Sequence, residues 1–333
     1  MKRNHLKHAV LLGMAIVTLG MYSCKETKKA EAEPTVVSTE EEKTADPFFE
    51  LSLAQWSMHK MVFDEGVDPY TFAEKAKGWG FSGLEYVSGL YYKELEKSNF
   101  SKEAMAAFVE KCNAESEKYG MVNVLIMIDG QGDLASVDAK ERKKAVENHY
   151  KWVDAAAAMG CHSIRVNLDG SQIPEEWIAN SVDGLKQLAT YAKDKNVNII
   201  VENHGGLSSN AAMLAEVMKT VNMENCGTLP DFGNFCVKRK GGSYYSGECE
   251  EEYDMYQGVS ELMPYAKGVS AKSYNFDEAG NETKIDYSKM LQIVKNAGYT
   301  SFIGVEYEGD ELGEEAGILA TKELLLNASK NLE

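Results

Sequence analysis

From residue 49 onward, apolar runs of strand length recur, and each is followed by a stretch whose apolar positions return every three or four residues. The runs are FELSLAQWS (49–57), SGLEYV (82–87), VNVLIMID (122–129), SIRVNL (163–168), NIIVEN (198–203), GTLPDF (227–232), KGVSAKSY (267–274) and SFIGVEYE (301–308). Eight such runs alternating with helical stretches predict βα units around a parallel sheet. Asp68-Pro69, Ser101, Pro174, Ser208 and Asp286 read as helix starts, and Gly80, Gly120, Gly160 and Gly298 as helix stops. The pattern predicts α/β architecture, a single closed (β/α)8 TIM barrel over 47–333. An open doubly wound sheet is the alternative, disfavoured because neither a GxGxxG nor a P-loop follows the first strand. The longest predicted loop, 237–252 after the sixth strand, carries Lys238, Arg239, Lys240, Tyr244 and Tyr245.

Ahead of the barrel the pattern changes. Residues 1–8 are basic and Ala9 to Gly20 carries no charge, the layout of a secretory signal too short to span a bilayer. MYSC at 21–24 reads as a lipoprotein-type site with Cys24 as the lipid-bearing residue, soluble secretion being the alternative. Residues 25–46 are mostly charged or small and read as a disordered linker. The expected location is therefore outside the cytoplasm: periplasmic, or held to the membrane only through an N-terminal lipid.

Composition narrows the partners. The chain has 35 Lys and Arg against 52 Asp and Glu, a net charge of −17, which argues against nucleic acid as a partner. Cys112, Cys161, Cys226, Cys236 and Cys249 form no tight CxxC pair and read as unpaired thiols.

A barrel of this kind does its chemistry at the C-terminal ends of its strands. The polar residues expected there are Gln55, Ser57 and His59; Glu85; Asp129; Arg165, Asn167 and Asp169; Glu202 and His204; Asp231 and Asn234; Ser270 and Lys272; Glu306 and Glu308. Several carboxylates converging on one low-dielectric mouth repel one another unless they are protonated or bridged by a cation. Glu202, Asp231 and Glu306, from strands five, six and eight, are the candidate ligands, and oxygen donors with one imidazole suit Mn, Mg, Co or Zn ions alike. Glu202 and His204 share a strand face, so both can point into the mouth while Asn203 turns to the helices. Gly205 and Gly206 then bend the backbone and leave that face open to a ligand. His204 reads either as a metal ligand or as a substrate contact. Arg165 either binds substrate oxygens or pairs with Asp129 or Glu85, and His149 and His162 read as structural.

The segments IIVENHGG, LPDFGNF, GVSAKSYNF and FIGVEYEG, in that order on strands five to eight, resemble the xylose isomerase-like TIM barrels. That group of sugar phosphate isomerases and epimerases includes ketose 3-epimerases, inosose dehydratases and, more remotely, endonuclease IV. The resemblance implies a metal site of Glu202, Asp231 and Glu306 completed by a histidine on strand seven, where this chain has Ser270. Either Ser270 or water takes that place, or His204 supplies the nitrogen, or metal binding is weakened. Asn234 stands where epimerases often carry a substrate-contacting histidine. The resemblance implies that Glu202 and Glu306 act as acid and base beside a carbonyl, with Lys272 stabilising the developing oxyanion. Arg165, Asn167, His204, Asn234, Glu85 and His59 would face a small-molecule carbohydrate. The expected activity is that of a metal-dependent sugar isomerase or epimerase. A lyase or dehydratase acting on a 3-keto-glycoside, and a non-catalytic sugar-binding lipoprotein, are the alternatives.

Overall fold

Each of the eight predicted runs forms a parallel strand. They are β1 Glu50–Ala54, β2 Gly83–Val87, β3 Val122–Met127, β4 Ser163–Val166, β5 Asn198–Glu202, β6 Cys226–Leu229, β9 Val269–Ser273 and β10 Phe302–Tyr307, with a hairpin, β7 Cys236–Arg239 and β8 Cys249–Glu252, inserted after β6. The computed structural model describes residues 47–330 together with 332 and 333; the signal, Cys24 and the linker lie outside the described residues. The sheet runs β6-β5-β4-β3-β2-β1-β10-β9, and parallel bridges from Thr228 to Ala266 and from Asp231 to Ser270 join its two edges. The result is a (β/α)8 barrel. Because helices cover its outer face, the strands bury both faces: every residue of β2 and β9 is buried.

Among the boundaries that differ from the sequence pattern, two have clear local reasons. β1 stops at Ala54 and the chain turns through a 3-10 segment, Gln55–Met58. The Gln55 side chain ties that turn down, accepting from Val87 N at 3.1 Å and donating to Pro69 O at 3.0 Å and to the Tyr91 hydroxyl at 2.9 Å. The helix Ala211–Val221 is capped by Asn210, whose side chain accepts from Met213 N, whereas Ser208 belongs to the turn before it.

The segment 237–252 is the larger correction. It is the antiparallel hairpin β7–β8, in which a Cys236–Cys249 disulfide joins the first residues of the two strands with a Cα–Cα distance of 5.8 Å. Two of the five thiols expected to be unpaired are therefore joined, and Cys112, Cys161 and Cys226 remain free. A separation of 13 residues gave no tight spacing to signal the pairing, and the bond runs diagonally across an irregular ladder that sets Cys236 opposite Glu252 and Cys249 opposite Arg239.

His149, on the helix Ala139–Met159, is structural as expected: it is buried, and its Nδ1 lies 2.7 Å from Ala145 O. Burial pulls its pKa down from 6.5 to about 4; the Ala145 carbonyl and Asp129 oppose the shift and Lys151 adds to it. The unfolded chain takes up this proton near 6.5 and the folded chain only near 4, so stability falls as pH drops through that window. A His149→Gln variant is expected to lose less stability between about pH 7 and about pH 4.5, by roughly 2 kcal/mol. Urea denaturation of both proteins at the two pH values checks this, and equal acid losses would contradict it.

Candidate functional site

The apolar residues Ile199, Ile200 and Val201 are fully buried in β5 and bring Glu202 to the strand's C-terminal end. Asp231 follows β6 and Glu306 lies near the end of β10, so the three carboxyls meet at one mouth. One oxygen from each lies within 4.8 Å of the other two, and all three residues are buried. No histidine or cysteine joins this group among the described residues.

Each carboxyl is held differently. Asp231 Oδ1 accepts from Gly233 N and Asn234 N, both at 2.8 Å, and its Oδ2 accepts from the Ser270 hydroxyl at 2.7 Å. The same hydroxyl lies 2.9 Å from Glu306 Oε2, and because it carries one proton it can serve only one of the two oxygens at a time. Glu202 Oε1 accepts from Asn234 Nδ2 at 3.0 Å. Glu202 Oε2 is 2.9 Å from Arg165 Nε, yet neither atom makes a directed hydrogen bond, so this oxygen is buried with charge attraction alone. An oxygen in that condition is available to a ligand.

Two cations are built into the cluster. Lys272, with no exposed surface, places Nζ 2.9 Å from Glu306 Oε1, 3.0 Å from Glu308 Oε1 and 3.7 Å from Asp231 Oδ2. Arg165 donates to Asp129 Oδ1 at 2.8 Å as well as facing Glu202. Of the alternatives open for Arg165, the structure shows the ion pair with Asp129. Five carboxyls thus face two fixed cations. Burial pushes Asp231 up to about 8 despite the nearby Lys272, and Glu306 is also raised, first by burial. At Glu308 burial works the same way, but the Lys272 ammonium outweighs it and the carboxyl is lowered. The surplus of acid lies at Glu202, Asp231 and Glu306, which have the donor chemistry to hold a hard divalent cation.

The other predicted residues sit around this centre. Asn167 donates to Asp129 Oδ1 at 2.8 Å, and its own Oδ1 lies 3.2 Å from Arg165 Nη1 and 3.0 Å from His204 Nδ1. His204 therefore stands against Asn167, with the Tyr245 ring 5.0 Å away, rather than among the three carboxyls. Ser270 does occupy the strand-seven place, bridging Asp231 and Glu306. His59 turns to its own neighbours: it stacks on Trp56 at 4.5 Å, with Nδ1 3.2 Å from Glu314.

Glu85 is engaged by residues of the barrel itself. It is buried inside the barrel, accepts from the Ser52 hydroxyl at 2.6 Å, and leaves Oε2 without a partner. A Cβ at Gly304 would come within 2.4 Å of Oε2, so this glycine makes room for the carboxyl. Burial pushes Glu85 up to about 8, Ser52 opposing and Glu306 adding.

Asn203, expected to turn away to the helices, proves to be a positioning residue. Buried completely, it accepts from Asp231 N at 2.8 Å and donates to Asp231 O at 3.0 Å and Asn234 O at 3.1 Å. One amide thereby fixes the backbone that carries both a cluster carboxyl and the amide bound to Glu202. Its signal in the sequence was an amide at the end of an otherwise apolar strand. The Gly205-Gly206 bend is also not open to a ligand, because Tyr244 from the hairpin fills it: added Cβ atoms would lie 2.2 Å from Tyr244 O and 2.4 Å from Tyr244 Cδ1.

Solved structures share this architecture at low sequence identity. The IolI protein with a bound zinc atom superposes with a TM-score of 0.62 at 14% identity, over 85% of this chain and 99% of that one. D-psicose 3-epimerase with D-tagatose, from Clostridium cellulolyticum H10, gives 0.60 at 13% identity, over 84% and 99%. The 3-keto-D-glucoside 4-epimerase YcjR from E. coli gives 0.58 at 12% identity, over 84% and 99%. No curated protein matches the chain by sequence. The family model for xylose isomerase-like TIM barrels matches residues 73–328, nearly the whole barrel, and the chain belongs to that family.

Proposed function

We propose that this protein is an exported, metal-dependent sugar isomerase or epimerase that removes and returns a proton beside the carbonyl of a sugar or keto-sugar. The observation that carries the reading is the buried group of Glu202, Asp231 and Glu306, in which Glu202 Oε2 has no hydrogen-bond donor. These residues fit a divalent ion through the surplus of oxygen donors over fixed positive charge. Such an ion, when bound, polarises carbonyl and hydroxyl oxygens and acidifies the neighbouring C–H.

The chain's own residues divide the remaining work. Glu202 and Glu306, on strands separated by β6 and β9, are the groups that take and return the proton. Asn234 and Arg165 orient the first, and Lys272 and Ser270 the second. Asp231 is pinned through both oxygens, which suits it to holding a ligand in place rather than to proton transfer. Epimerases of sugars and keto-sugars among the structural neighbours support the class of reaction, and the IolI protein with its bound zinc atom supports a metal. The signal-like N-terminus and the Cys236–Cys249 disulfide support export, since such bonds persist in oxidising compartments. A substrate met there is more plausibly a free sugar or keto-glycoside than a sugar phosphate.

Elemental mass spectrometry of the purified chain is expected to find near-stoichiometric divalent metal. Incubation with free ketoses or a 3-keto-glucoside in D2O is expected to place deuterium on the carbon beside the carbonyl. A chain that holds no metal after reconstitution and exchanges no deuterium into either sugar class is not such an enzyme, and sugar binding alone would then be the function to pursue.

A further inference from the structure

The hairpin β7–β8 is additional to the eight-stranded barrel, yet it is fastened at both ends. The Cys236–Cys249 disulfide ties the first residues of its two strands together, and Arg239 stiffens its interior by donating to Tyr244 O at 3.3 Å and to Gly247 O at 3.0 Å. At its tip the Tyr244 hydroxyl donates to Gly170 O at 2.7 Å, on the loop after β4. The Tyr245 hydroxyl reaches Asp169, with both carboxylate oxygens at 2.6–2.7 Å. Beneath the tip the Gly205-Gly206 bend receives Tyr244, with φ values of +88° and +60° that glycine adopts freely.

Tyr245 differs from the other aromatic residues around the mouth. Its ring packs against His204 at 5.0 Å, yet the residue stays 48% exposed. From it a chain of contacts runs inward through His204, Asn167 and Asp129 to Arg165, which faces Glu202. A ring tethered at its hydroxyl and supported on one side has already lost its freedom, so binding against its free face costs little further entropy. The apolar C–H face of a sugar ring suits such a surface, while its hydroxyls suit the carboxylates and amides beside it.

We propose that the disulfide-closed hairpin is the specificity wall of the site and that Tyr245 receives the apolar face of the sugar; the sugar contact rests on the function proposed above. The disulfide and the Gly205-Gly206 notch hold Tyr245 in place, so they act on specificity through it.

The test uses the full chain with its disulfide intact, beside Tyr245→Ala, Tyr245→Trp and the double variant Cys236→Ser/Cys249→Ser. The probes are D-fructose, D-tagatose and methyl 3-keto-glucoside, with KM and kcat measured separately, and amide hydrogen exchange is followed without sugar. Tyr245→Ala is expected to raise KM about tenfold, as for loss of one aromatic stacking contact. Its kcat should stay within about twofold, and Tyr245→Trp should restore most of the KM. The double variant is expected to raise KM as well and to speed exchange in both 240–248 and 203–209, the hairpin and the bend beneath it. Unchanged KM in Tyr245→Ala would overturn the sugar contact. Unchanged exchange of 203–209 in the double variant would overturn the wall. If the wild type turns over none of the probes and exchanges no deuterium into them, the proposed function fails and the sugar contact falls with it, while the exchange experiment still decides whether the hairpin covers the site.

Discussion

Replacing Lys272 by methionine is expected to destabilise the barrel by about 3–5 kcal/mol, the usual cost of breaking a buried ion pair from one side. Methionine keeps the apolar stem and removes only the ammonium, so the loss reports charge rather than packing. The ammonium has no contact with solvent and lies within 3.7 Å of Glu306, Glu308 and Asp231. Without it these acids, together with Glu202, have Arg165 as their nearest fixed cation. The cost has a pH signature. Asp231, already pushed up to about 8 with Lys272 present, rises further without it and is protonated in acid, which relieves the repulsion. The destabilisation should therefore be small near about pH 5 and grow toward about pH 9, where the carboxyls must ionise against one another. A chelator should enlarge it in the alkaline range, because a bound divalent ion would otherwise share the compensating role. Denaturation with urea across this range, with and without chelator, checks the expectation. A pH-independent loss would mean that Lys272 contributes through packing instead.

The fold was legible because parallel strands buried on both faces write nearly continuous apolar runs, and glycines after the helices punctuate them. Glu202, Asp231 and Glu306 were legible for the same reason: each ends such a run, so topology alone brings them together. What escaped the sequence was everything decided by side-chain direction or by pairing across a loop. Glu85 stands in the middle of its strand, where the Ser52 hydroxyl and the space above Gly304 hold its carboxyl. Asn203 is set on the outward face by the strand's alternation, and only the path of the next loop turns its amide into a bracket for Asp231. Cys236 and Cys249 are joined diagonally across a hairpin whose ladder sets neither opposite the other, and the polar residues between them do not announce it. The partner of His204 is Asn167, and that pairing depends on the neighbouring strand.

Glu202→Gln is expected to lower proton exchange into the sugar by about 10²–10⁴-fold, the contribution typical of a positioned general base. The amide is nearly isosteric and its oxygen can still accept from Asn234. Its NH2 group, however, would face Arg165 Nε at about the 2.9 Å now separating that nitrogen from Oε2, donor against donor. The free acceptor in the cluster is thereby lost, and with it the oxygen able to take a proton or bind a cation. Stability should move in a different direction from activity. The variant removes one negative charge from a group with too many, and Arg165 retains Asp129 as partner, so unfolding free energy should change by no more than about 1 kcal/mol. That separation makes the result readable: a stable, folded protein without deuterium exchange locates the chemistry at Glu202. Metal content measured on the same sample then divides the two roles of the carboxyl. Retained metal with lost exchange assigns Glu202 to proton transfer, and loss of both assigns it first to holding the ion. Exchange that stays within a few-fold of the wild type would move the proton-transfer role to Glu306, where the matching Gln variant would have to show the larger loss.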